Sequence, residues 1–169
     1  KILSYDEIAR ICSVLAGHGL KKIKITGGEP LVRKDAIVLI RKLKEVPGIT
    51  SVTLTTNGVL LEQYYDELID AGIDTITVSL DTMKRNVYQQ ITRRDELERV
   101  LRGIEKAIRE NRVRLKINCV CVAGIDTQNV LALLNYAQRA DVDIRFIEMM
   151  PIGLGKQFSF VSEAVIRKM

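Results

Sequence analysis

Polar and apolar residues alternate in five short stretches of this chain, and longer stretches of helical spacing separate them. Lys22, Lys24 and Thr26 alternate with Ile23 and Ile25; Thr53 and Thr55 with Val52 and Leu54; Thr75, Thr77 and Ser79 with Ile76, Val78 and Leu80. Further on, Arg114, Lys116 and Asn118 alternate with Val113, Leu115 and Ile117, and Asp143 and Arg145 with Ile144 and Phe146. A period of two marks strands, predicted here over Lys22–Thr26, Ser51–Thr55, Thr75–Leu80, Arg112–Val122 and Val142–Glu148. Between them the period lengthens. Ile8, Ile11, Cys12 and Leu15 follow Ser4, a natural helix N-cap. Further helices are predicted over Asp35–Lys44, stopped by Pro47-Gly48, and over Leu61–Ala71, capped by Gly72. Others follow over Met83–Ile91, over Glu96–Arg109, from Asp126 or Thr127 to about Ala140, and over Ser162–Lys168.

Strands alternating with helices across short turns predict a parallel sheet joined by right-handed crossovers, that is, an α/β fold. Strands buried on both faces read as continuous apolar runs, and these do not. Helices must cover the apolar face, while the other face is rich in hydroxyls and cations on every strand. A wide or incompletely closed (β/α) barrel, lined by that face around a wet cavity, accounts for the pattern. One strand of this kind reads as a solvated edge; five do not. Ligand sites in such folds lie at the carboxyl ends of the strands, where this chain has Gly27-Gly28-Glu29, Asn57-Gly58 and Asp81. No linker or low-complexity segment divides the chain, so a single domain is expected.

The inward cations Lys24, Lys116 and Arg145, with Lys22 and Arg114 beside them, call for several negative charges, and a polyphosphate supplies them. The paired glycines allow close approach of backbone to a ligand. Glu29 is open to two readings: acceptor for a ligand's ammonium group, or a carboxylate at a helix start. Ser79 suits a donor to a carboxylate or an ordinary strand serine. Met149 and Met150 suit core filling or contact with a flat or thioether-bearing ligand.

Composition narrows the partners. The chain has 169 residues, 47% hydrophobic and 28% charged, with a net charge of +5. That charge suggests an anionic partner, although much of it belongs to helix faces. Three Phe, five Tyr and no Trp leave little surface for base stacking, which disfavours nucleic acid. No apolar run is long enough for a membrane span and no signal peptide is evident, so a cytoplasmic location is expected. Cys12, Cys119 and Cys121 lack disulfide or cluster spacing, and His18 is the only histidine. The chain opens on Lys1 and closes on Met169 inside a helical pattern, as a piece truncated at both ends would.

Ile25-Thr26-Gly27-Gly28-Glu29-Pro30-Leu31, Thr55-Thr56-Asn57-Gly58 and Ser79-Leu80-Asp81 together resemble the radical S-adenosylmethionine superfamily. Lys116-Ile117-Asn118 and Arg145-Phe146-Ile147-Glu148-Met149-Met150-Pro151-Ile152-Gly153 resemble, within it, the GTP 3',8-cyclases of molybdopterin (molybdenum cofactor) biosynthesis. The resemblance covers nearly all of the chain. It implies a partial barrel of the radical SAM type and S-adenosylmethionine as cofactor. It also implies [4Fe–4S] clusters whose ligands belong to a longer parent and are absent here. Position by position, Gly28 and Glu29 match the motif that holds the methionyl amino group, Ser79 a residue that binds the carboxylate, and Met150 a contact to the adenosine. Lys24, Thr55, Lys116 and Arg145 match residues around the GTP. The Cys-x-x-x-Cys-x-x-Cys loop of the first cluster would lie upstream of Lys1, and the cysteines of the second cluster are missing. Asp126 stands where Asn is frequent.

The expected activity is cyclisation of GTP by the intact parent, a lyase, with this piece inactive alone. The alternatives are a peptide-modifying radical SAM enzyme, which the cationic face disfavours, and a non-catalytic α/β phosphate-binding module. A sheet that continues past both ends leaves edges prone to aggregation or to homodimer formation.

Overall fold

A computed structural model describes residues 2–121, 127–149, 163–166 and 168. The expected elements occur in the expected order. Helix α1 (Tyr5–Gly17) opens with a capping box: the Ser4 hydroxyl accepts from the Glu7 N–H, and the Glu7 carboxylate accepts from the Ser4 N–H. Strand β1 (Lys22–Ile25) leads through a short 3₁₀ turn (Pro30–Val32) into α2 (Ala36–Lys44). Then come β2 (Ser51–Thr56), α3 (Leu61–Asp70), β3 (Thr75–Ser79), α4 (Arg85–Thr92) and α5 (Leu97–Glu110). The chain continues through β4 (Arg114–Cys121), α6 (Thr127–Ala140), β5 (Asp143–Glu148) and the single turn α7 (Glu163–Ile166). Thr26 lies just past the end of β1.

All five strands are parallel, in the order β1-β2-β3-β4-β5. That order decides where the helices go. Each right-handed crossover steps one strand in the same direction, so the helices that connect the strands fall on the same side of the sheet. A doubly wound sheet reverses direction and covers both faces; this one covers one. Burial follows. Val52, Leu54, Ile76, Val78, Ile117 and Cys119 are at most 1% exposed, packed under Leu61, Tyr65 and Leu68 of α3 and Val100 and Ile104 of α5. Ile23 and Ile25 are half-buried against the same cluster. On the opposite parity, Thr53, Thr55, Lys116 and Asn118 are only half-buried, and Lys24, Ser79 and Arg145 are exposed. The partial (β/α) barrel read from the alternation is the fold.

One turn shows how tightly the strand ends meet the helices. Gly58 has φ +82, and a Cβ there would come 2.9 Å from methyl groups of both Val78 and Val100. Only glycine has both the backbone freedom and the small size. Asn57 completes the turn, its side-chain carbonyl accepting from the Val59 N–H at 3.0 Å.

Candidate functional site

The register arranges the inner face in rows. Lys24, Thr53, Thr75 and Arg114 lie side by side across β1 to β4. One step toward the carboxyl ends lie Thr55, Thr77, Lys116 and Asp143, and above them Ser79, Asn118 and Arg145. Neighbouring positions in a row are about 4.8 Å apart, the spacing of paired strands. Lys24, Thr55, Lys116, Ser79 and Arg145 therefore share one face of the sheet. Lys24 stands on the β1 edge and Arg145 on the β5 edge, with Thr55, Ser79 and Lys116 between them.

Two polar atoms of this face are buried without a partner among the described residues: Thr55 Oγ1 and Asn118 Oδ1. Buried polar atoms are rarely left unpaired, so each of these two retains an open hydrogen-bonding position. Beside them, between the carboxyl ends of β2 and β3 and helix α4, is a small cavity of about 140 Å³ lined by Asn57, Ser79, Asp81, Thr82, Tyr88 and Thr92. Burial pushes the Asp81 carboxyl above its usual range, and a hydrogen bond from the Val120 N–H at 2.8 Å works against that rise. Since β4 outlasts β3, that bond satisfies an amide the shorter strand leaves open. A larger hollow, about 370 Å³, lies at the amino ends of β4 and β5, by Asn111, Arg114, Asp141 and Asp143; in barrels that end serves stability.

The wall is less cationic than alternation alone suggested. Asp143 Oδ2 accepts from Arg114 Nε at 3.1 Å and from its Nη2 at 2.6 Å. The guanidinium holds the Asp143 carboxyl below the usual range. The same oxygen is 3.7 Å from Lys116 Nζ. Arg114 thus needs no anionic ligand to explain it. Asp143 was visible in the sequence only as an alternating polar residue; its partner depends on the register of β4 with β5.

After β1 the backbone of Gly27 and Gly28 is exposed, and a Cβ added at either would meet no atom within 4 Å. Glu29 turns elsewhere. Its carboxylate accepts from the Leu31 N–H at 3.0 Å, the Thr56 hydroxyl at 2.8 Å and the Asn57 N–H at 2.6 Å. Met150, Pro151-Ile152-Gly153, Gly124 and Asp126 lie outside the described residues.

Residues 1–147 match the family described as the Radical SAM superfamily. The chain belongs to that superfamily. It is 42% identical over 166 residues to a GTP 3',8-cyclase of Clostridium perfringens, covering 98% of this chain and 51% of the relative. It is 38% identical over 151 residues to molybdenum cofactor biosynthesis protein 1 of Dictyostelium discoideum, covering 89% of this chain and 24% of that protein. The chain thus spans about half the length of the cyclases it matches. Among solved structures, Streptococcus suis SuiB bound to S-adenosylmethionine superposes with a TM-score of 0.83 at 17% identity, over 99% of this chain and 39% of SuiB. A domain of a pyruvate-formate lyase-activating enzyme from Bacteroides vulgatus superposes with a TM-score of 0.71 at 18% identity, over 88% and 90% of the two chains. These likenesses establish the fold. No helix among the described residues is long and apolar enough to cross a membrane.

Membership of the superfamily implies S-adenosylmethionine and a [4Fe–4S] cluster. The open glycine backbone and the partnerless Thr55 and Asn118 atoms fit a polar organic ligand on the inner face. The cysteines do not fit a cluster. Cys119 and Cys121 are buried on the helix-covered side, and burial pushes both thiols up, Cys119 far above its ordinary value. Cys12 stands half-buried on α1. No group of three or more metal-binding side chains occurs among the described residues.

Proposed function

We propose that this chain is the core of a GTP 3',8-cyclase, with S-adenosylmethionine and GTP held side by side on the inner face of the sheet. The observation that carries the reading is the row pattern: hydroxyls and cations on every strand of one uncovered face, in a chain 42% identical to enzymes of that name. On the S-adenosylmethionine side stand the loop of Gly28 and Glu29 and the Ser79 hydroxyl at the end of β3, with Met150 following β5 in sequence. On the GTP side stand Lys24, Thr55, Lys116 and Arg145.

The division follows charge. The Lys116 and Arg145 cations and the Lys24 ammonium match phosphate oxygens. Backbone carbonyls at Gly27 and Gly28 match an ammonium group, and the Ser79 hydroxyl can donate to a carboxylate. When bound, S-adenosylmethionine together with a reducing cluster would supply the radical chemistry of this superfamily, with the Gly28–Glu29 loop and Ser79 holding its methionyl end. The residues of this chain bind and orient the two ligands. Cluster ligands are to be sought outside this sequence. In a peptide-modifying enzyme the cationic rows would have no polyphosphate to meet.

Calorimetric titration tests the reading. Lys116→Ala lowers GTP affinity by roughly ten- to a hundredfold, the usual loss of about 1.5–3 kcal/mol for a charge-assisted contact, and leaves S-adenosylmethionine affinity within about threefold. Equal losses for both ligands, or none for GTP, would refute the assignment.

A further inference from the structure

Glu29 follows two glycines that face open space, yet its carboxylate does not join them. Its Oε1 accepts from the Leu31 N–H and the Thr56 hydroxyl, and its Oε2 from the Asn57 N–H. Thr56 is one residue on from inner-face Thr55, so its side chain takes the helix-covered parity. It is 2% exposed. The carboxylate therefore reaches behind the strand ends rather than over the cavity. Thr56 Oγ1 in turn accepts from the Gly58 N–H at 3.1 Å. A continuous run of hydrogen bonds links the 3₁₀ turn, Glu29, the end of β2 and the Asn57-Gly58 turn.

We propose that Glu29 is a positioning residue: its carboxylate fastens the Thr26–Pro30 loop to the end of β2, holding the Gly27-Gly28 backbone where a ligand's ammonium group is received. The carboxylate itself does not take the ammonium. The inference rests on the S-adenosylmethionine reading above. Two reasons support it. Three of the four lone-pair directions of the carboxylate are already taken. Gly27, at φ +153, and Gly28 have no side chains to anchor them, and a backbone this free needs an outside tie to hold one shape. Glutamine is a poor substitute, because its single carbonyl cannot serve both the Leu31–Thr56 side and the Asn57 side; its NH₂ must oppose an N–H.

The test uses the far end of the tie. Thr56 lies where an inner-face ligand does not reach. Titration of the full chain with S-adenosylmethionine should show Thr56→Val and Glu29→Gln each losing roughly five- to thirtyfold in affinity. The double variant should be no worse than the weaker single one, and Thr56→Ser, which keeps the hydroxyl, should match the unaltered chain. If Glu29→Gln loses affinity while Thr56→Val does not, or if the two losses add, the carboxylate touches the ligand and the proposal is wrong. Amide exchange without ligand gives a second arm. The Asn57 amide should lose protection in Glu29→Gln; unchanged protection overturns the tie. If the unaltered chain binds no S-adenosylmethionine, the ligand reading fails, and the exchange arm alone then decides whether Glu29 holds the loop.

Discussion

Two glycines, thirty residues apart, should respond to the same methyl group in opposite ways. Gly58 adopts φ +82, and a Cβ there would stand 2.9 Å from Val78 Cγ1 and from Val100 Cγ1. Both valines are fully buried, so neither has room to retreat. The left-handed backbone costs a residue with a side chain about 1–2 kcal/mol, and overpacking against a filled core adds about 1–3 kcal/mol. Gly58→Ala should therefore destabilise the fold by about 2–5 kcal/mol, a large part of the total for a domain of this size. Gly28 is the control. A methyl there meets no atom within 4 Å, and its backbone is outside the left-handed region. Gly28→Ala should leave stability within about 0.5 kcal/mol while lowering S-adenosylmethionine affinity tenfold or more, because the methyl occupies the space through which the ligand approaches. Urea denaturation with a shared m-value reads the first effect, and calorimetry the second. Two results would refute the reasoning: Gly28→Ala destabilising as much as Gly58→Ala, or Gly28→Ala binding with full affinity.

Further expectations concern charge, thiols and iron. Asp143→Asn removes the negative charge that engages Arg114 and Lys116, so GTP affinity should rise and its salt dependence steepen; a fall would mean that Asp143 holds Lys116 in place. Cys119 keeps its proton in the folded chain because burial raises its pKa. The unfolded thiol ionises near about 8.5, so this contribution to stability is complete below that pH and declines above it, by at most about 1.4 kcal/mol per pH unit. Cys119→Ala should flatten the alkaline arm of a stability–pH curve, and an unchanged slope would exclude Cys119 as its source. Anaerobic reconstitution of this chain with iron and sulfide should give no stoichiometric [4Fe–4S] absorbance, since Cys119 and Cys121 face the core and Cys12 stands alone on α1; full incorporation would overturn that.

The alternation of polar and apolar residues determined much of this protein by itself. Lys22-Ile23-Lys24-Ile25 and Thr75 to Ser79 are strands with one polar face, because a period of two cannot put their lysines and hydroxyls on the same side as their isoleucines and valines. The Gly27-Gly28-Glu29-Pro30 run marked a ligand rim for a similar reason: few sequences need two adjacent residues without side chains. What the sequence could not supply was anything that depends on how one strand slides against the next. The pairing of Lys116 with Asp143 rather than with a neighbour two residues away is a matter of register, fixed by packing across twenty-six intervening positions. That register turned Arg114 from a candidate ligand contact into Asp143's partner. Glu29 was legible as a carboxylate after two glycines, equally suited to a ligand or to the protein. Only the tertiary fold, by bringing the end of β2 to within hydrogen-bonding distance, gave it the Thr56 hydroxyl and the Asn57 amide. Local pattern decides which face a side chain takes; the partner it finds there is decided by chain segments that meet only once the sheet has formed.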